Sequence, residues 1–173
     1  MELEKIIALL SYTIPSVITG LVAYYFFANH TKNEERKMKL SILKENQKLS
    51  LPIRLQAYER MALFLERMNP SSLLLRVTSV NNVKNAYAIS IINAIEQEFE
   101  HNLSQQIYIS DQCWNVIIAS KNTTIQIIKK TAALETIGNA QELREEILKA
   151  TLSNTAPSNT ALAFIKEEVK SFI

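Results

Sequence analysis

From Ile6 to Ala28 the chain reads IIALLSYTIPSVITGLVAYYFFA and carries no charged side chain. An α-helix rises about 1.5 Å per residue, so about 20 apolar residues cross the hydrocarbon core of a bilayer. In lipid every backbone N–H and C=O needs an internal partner, which leaves a lone run of this length only the helix. The run therefore predicts a transmembrane helix. Pro15 removes one backbone donor and predicts a kink in its outer half. Tyr24, Tyr25, Phe26 and Phe27 close the run as an aromatic belt. A cleavable signal has a shorter apolar core and small residues at its exit; this run ends on bulky rings and reads as a retained anchor.

Lysine and arginine give the expected direction. Lys5 stands ahead of the run beside Glu2 and Glu4, whereas Lys32, Arg36, Lys37, Lys39, Lys44 and Lys48 follow it against Glu34, Glu35 and Glu45. The positive-inside bias then puts the N-terminus outside and the C-terminal bulk in the cytoplasm. Lys32, Arg36, Lys37 and Lys39 are the expected membrane-surface residues, each worth about 1 kcal/mol near anionic lipid. The chain thus divides into an anchor (1–29), a basic juxtamembrane helix (30–50) and a cytoplasmic helical domain (51–173). Of 19 basic and 17 acidic residues, setting aside Lys5, those six bases and the five glutamates before Leu51 leaves twelve of each sign in the domain. A neutral domain is a poor match for nucleic acid, whose binding depends on neutralising phosphates. Cys113 is the one cysteine, which excludes an intrachain disulfide.

Beyond the anchor the periodicity is helical and the class is all-α: a transmembrane helix and stalk followed by a small helical bundle. Residues 30–49 form a polar stalk with one thin apolar line, Met38, Ile42 and Leu49. Leu51-Pro52 is expected to open a new helix, because proline suits a first turn. Tyr58, Met61, Phe64, Leu65 and Met68 mark its buried face, with Arg60 and Arg67 opposite and Glu59 and Glu66 on one border stripe. Asn69-Pro70 ends it. Residues 71–80 fit either a buried strand-like link or a short helix.

A second helix is expected over Val83–Leu103, with Tyr87, Ala88, Ile91, Ile92, Ile95 and Phe99 inward. A third follows a Ser110 or Asp111 cap to about Leu134, with Trp114, Ile117, Ile118, Ile125, Ile128 and Ala132 inward. Asn139 with Glu142 resembles a capping box for a fourth helix to about Leu152. The segment 153–158 is a flexible break, and a last helix spans about Asn159–Phe172. Its Leu162, Ile165, Val169 and Phe172 recur at 3-4-3 spacing, which serves either its own bundle or a partner seam. The core is expected to centre on Tyr58, Leu65, Ile92, Phe99, Trp114 and Ile125.

Chemical motifs are sparse. Gly20 and Gly138 are the only glycines, which excludes the usual phosphate loops and dinucleotide folds, so no cofactor is implied. Cys113 beside Trp114 reads as a packing cysteine. Glu98 and His101 have the i, i+3 spacing of di-iron bundle ligands, with Glu59 and Glu66 as conceivable further carboxylates, but a second such pair is missing. Glu98 lies near the buried arc and needs a cationic partner, for which Arg54 and Arg76 are placed.

The segments LPIRLQAYERMALFLERMNP (51–70), EQEFEHNLSQQIYIS (96–110), KNTTIQIIKK (121–130) and FIKEEV (164–169), with ITGLVAYYFF in the anchor, resemble a family of unknown function of small, singly anchored membrane proteins from Bacteroidetes-type bacteria. The resemblance implies a bacterial inner-membrane setting and brings no activity or site residues. Two expectations follow. The first is a membrane-anchored interaction or scaffold protein whose partners are the lipid bilayer and other proteins. The alternative is a tethered enzyme or metal-binding bundle using Glu98 and His101. A homodimer is also expected, from Ser16 and Gly20 at small-xxx-small spacing, the stalk line and the last helix.

Overall fold

The computed structural model describes residues 1–152 and 156–172. Among them lie six helices and no strand: α1 (Glu2–Met68), α2 (Pro70–Arg76), α3 (Lys84–Glu100), α4 (Asp111–Ala132), α5 (Ala140–Leu152) and α6 (Pro157–Lys170). The fold is all-α. Two compact units divide the chain, Met1–Ser50 and Leu51–Ile173.

The first unit is helical throughout, and its described side chains are exposed apart from half-buried Ala28. It contains the one helical stretch among the described residues that is long and apolar enough to cross a membrane. Pro15 does not break it. The Thr19 hydroxyl donates to the Pro15 carbonyl at 2.8 Å and the Ser16 hydroxyl to the Thr13 carbonyl at 2.8 Å, so side chains engage backbone acceptors around the proline.

The second unit is a bundle. Contrary to the expected new start at Leu51-Pro52, α1 is helical through Pro52. An internal proline loses one hydrogen bond, and at this exposed position water can take the orphan carbonyl. Ala57, Tyr58, Met61, Phe64, Leu65 and Met68 bury the face that periodicity placed inward. Residues 71–80 resolve into α2 and a following loop. The Asn69 side chain caps α2 by accepting the Ser71 N–H at 3.1 Å, and Leu73 and Leu74 are buried. The loop after it reverses at Asn82, whose positive φ of 50° suits asparagine better than a branched residue.

Helix α3 stops at Glu100, short of the expected Leu103. The Asn102 amide donates to the Glu98 carbonyl at 2.8 Å, and a 3₁₀ turn spans Leu103–Ile107. Ser110 caps α4 by accepting the Cys113 N–H at 3.1 Å. At α5 the Glu142 N–H donates to Asn139 Oδ1 at 3.0 Å. Glu142 reaches back to the Gly138 N–H at 2.6 Å, one residue earlier than in the usual capping box. The break expected at 153–158 has residues 153–155 outside the described ones; Ala156 stands at the N-cap position of α6 without a side-chain cap, and Pro157 opens the helix.

Tyr58, Leu65, Phe99 and Ile125 are buried as expected, but Ile92 and Trp114 only partly. Ile91 and Ile95 centre the α3 face instead, and Trp114 stacks on Phe99 at 5.4 Å from the rim. The 3-4-3 residues of α6 are used inside the bundle: Ile165 is buried, and Leu162, Val169 and Phe172 pack against the core. Helices α4 and α6 form the closest-packed pair, where Ser120, Thr124, Ser158 and Ala161 are small and buried. Helix α1 meets α6 through longer side chains. Tyr58 reaches Glu168 at 2.7 Å, Arg54 covers the Phe172 ring at 4.5 Å, and Asn69 reaches Asn159 at 3.2 Å. As the number on one helix rises its partner's falls, so the two run antiparallel with a trough between them.

Candidate functional site: the trough between α1 and α6

Glu98 sits at one end of this trough, where α3 finishes. Its carboxylate pairs with Arg67 at 3.0 Å and Arg76 at 3.2 Å, and Arg76 also donates to the Arg67 carbonyl at 3.3 Å. The Glu98 side chain is 24% exposed, so this half-buried knot ties α1, α2 and α3. Of the two partners that position suggested, Arg76 is engaged, whereas Arg54 lies over Phe172. Arg67 is the partner the sequence concealed. Its place on the wheel put it opposite the buried arc, yet a long side chain can bend back from the flank.

Glu59, Glu66, Glu98 and His101 all line one open cleft of about 780 Å³, together with Gln56, Arg60, Ala62, Leu63, Asn102, Leu162 and Lys166. His101 is exposed at the end of α3. Among the described residues no three His, Cys, Asp or Glu side chains converge closely enough to hold a metal. The two arginines hold the Glu98 carboxylate in charge-assisted hydrogen bonds.

An adjoining groove of about 360 Å³ is lined by Leu55, Tyr58, Glu59, Ala62, Ile165, Lys166, Val169 and Lys170. Glu59, Ala62 and Lys166 belong to both hollows, so cleft and groove form one trough. The α1 wall carries Glu59 and Glu66, with Arg60 beside them; the α6 wall carries Lys166 and Lys170. Lys170 pairs with Glu167 at 2.7 Å on its own helix, while Glu59, Glu66 and Lys166 have no ion pair among the described residues. Leu63 projects at the rim with 57% of its surface exposed.

Behind the groove lies a buried polar contact that the sequence did not reveal. Glu168 accepts the Tyr58 hydroxyl, and that hydroxyl in turn accepts the Ser110 N–H at 3.3 Å. Cys113 is fully buried, and burial together with the neighbouring Glu168 carboxylate pushes its thiol up to about 12. Fully buried and held protonated, the thiol packs as a small apolar group. Lys121 is a second surprise: it is buried, pairs with Glu96 at 2.6 Å and covers the Phe99 ring at 4.6 Å. A signal for it existed, because Lys121 falls midway between Ile117 and Ile125 on the apolar arc of α4.

In the first unit Lys32, Arg36, Lys37 and Lys39 are exposed. Lys37 pairs with Glu34 at 2.9 Å, and its hydrogen bond and charge hold that carboxyl below its ordinary range.

These features define an all-α protein with one membrane-length apolar helix and a helical bundle carrying an open trough. The chain belongs to a family of unknown function, DUF7935, whose family model matches residues 4–172. No curated protein and no solved structure matches the chain.

Proposed function

We propose that the protein is a single-pass protein of the bacterial inner membrane that holds a helical interaction module at the cytoplasmic face. The charge-free run and its basic following segment support the anchor and its direction. Lys32, Arg36, Lys37 and Lys39 meet anionic headgroups there. The trough is the docking face of the module. The observation that carries this reading is a hollow with an apolar floor whose flanking charges, Glu59, Glu66 and Lys166, are unpaired. Charges left free beside apolar surface suit recognition better than stability.

The test uses the intact chain in native membranes. A photo-reactive residue at Leu63 or Glu66 should give defined protein adducts, and one at exposed Gln126 on α4 should not. Adducts of equal yield at all three positions, or at Gln126 alone, contradict the assignment of the face. The anchor is tested by alkaline carbonate, which should leave the protein in the membrane pellet. A reporter fused after Ile173 should behave as cytoplasmic; periplasmic activity overturns the orientation.

A further inference from the structure

We propose that the occupant of the α1–α6 trough is a second copy of this chain, so that two copies pair face to face across a two-fold axis. The proposal rests on the docking face described above and names its partner. The two walls of the trough are complementary in charge. The α1 wall is net acidic, with Glu59 and Glu66 on either side of Arg60; the α6 wall is basic through unpaired Lys166, with Lys170 shared with Glu167 of its own helix. A two-fold axis running along the trough sets the α1 wall of each copy against the α6 wall of the other. Such an interface is self-complementary, because every attraction on one side recurs on the other.

The levels agree as well. Tyr58 stands opposite Glu168 and Arg54 opposite Phe172 within the chain. An axis along the helices keeps those levels, so Glu59 of one copy falls between Lys166 and Lys170 of the second. Leu63, exposed at the rim, enters the second copy's cleft over Ala62 and Leu162. The trough from Leu55 to Glu66 is only about 16 Å long at the helical rise, which is short for an interface that holds in dilute solution. Confinement of both copies to one membrane raises their effective concentration and lets a small interface close. The seam residues Leu162, Ile165 and Val169 pack into their own bundle and also line the trough, so this pairing uses their trough-facing edge together with the outer flank at Lys166 and Lys170.

Single-molecule photobleaching of the labelled full-length protein in liposomes, at fixed protein-to-lipid ratio, tests the pairing. Glu59 and Lys166 are exposed and unpaired, so their reversal leaves the fold intact, as circular dichroism can check. Glu59→Lys alone and Lys166→Glu alone should each weaken the dimer about tenfold, since each reversal acts twice under the symmetry. The two together in one chain should restore two-step bleaching to near the original level. One-step bleaching of the intact chain overturns the proposal. So does a dimer that ignores both reversals but is lost on Gly20→Leu, a position where an added Cβ meets nothing within 4 Å in its own chain. If the Leu63 photo-adduct in membranes has the mass of a different protein, the docking face stands and the second copy falls. If the protein does not stay in carbonate-washed liposomes, the anchoring reading itself has failed.

Discussion

Phe26 and Phe64 are the same side chain in helical segments of one chain, yet Phe26 is 66% exposed and Phe64 is 0% exposed. The contrast extends to their whole units. In Met1–Ser50 the large apolar residues from Ile6 to Phe27 whose side chains are described are all more than half exposed. In Leu51–Ile173, Met61, Leu65, Leu73, Ile91, Ile117 and Leu143 are fully covered by one another. Helicity therefore says little about stability. An isolated helix in water is marginal, and its apolar surface has to be covered by something other than its own backbone. The bundle supplies its own cover; for the first unit the proposed anchor assigns that cover to lipid.

The largest effect that sharpens this contrast is truncation of the bundle's core. Phe64→Ala should destabilise the second unit by about 3–5 kcal/mol in a denaturant melt of the intact protein in detergent. Phe26→Ala should leave that melt unchanged. Equal shifts would show that the two phenylalanines share one core.

Alkaline pH should also single out the bundle. Burial holds Cys113 protonated up to about 12 against an ordinary value of 9.0, and it raises Tyr58 and Tyr87 above their ordinary 10.0. The unfolded chain gives up these protons first, so the stability they contribute is complete below pH 9 and is lost as pH rises toward 12. For the thiol alone the slope is at most about 1.4 kcal/mol per pH unit. Cys113→Ala should flatten the curve above pH 9, and an unchanged slope would contradict the burial argument.

Smaller effects come from polar ties. Glu98→Leu strands Arg67 and Arg76 in a half-buried site and should cost about 1–2 kcal/mol, discounted for their exposure. Asn139→Ala removes the α5 cap and should cost about 1 kcal/mol. Ile42→Ser in the stalk should change the bundle's melt by nothing measurable.

Where the sequence was legible, one face of an element was apolar and its period regular. That held for the membrane-length helix over the charge-free run, for the α1 face at Tyr58, Phe64 and Leu65, and for the caps at Ser110 and Asn139. It failed where tertiary context chose between equal local options. Pro52 looked like a start, but proline tolerates an exposed helix interior when packing beyond it favours the helix. Residues 71–80 had no decisive period until Asn69 capped them as α2. Ile92 and Trp114 fall on the central inward arcs by period, yet both are only partly buried, with Ile91, Ile95 and Ile117 covered in their place. The trough was not legible at all. Glu59, Glu66, Glu98 and His101 were visible as carboxylates and a histidine, but their shared cleft comes from the spacing of α1 and α6, which no local pattern encodes. Arg67 shows the same limit, since the bend of a long side chain decides its partner.

Amide hydrogen exchange of the full-length protein in lipid nanodiscs tests the contrast most directly. Lipid cover for the first unit's apolar half predicts that amides across Ile6–Ala28 exchange as slowly as those of buried α3 and α4, while residues 31–50 exchange orders of magnitude faster. Exchange across Ile6–Ala28 as fast as in residues 31–50 would mean that lipid does not cover this helix.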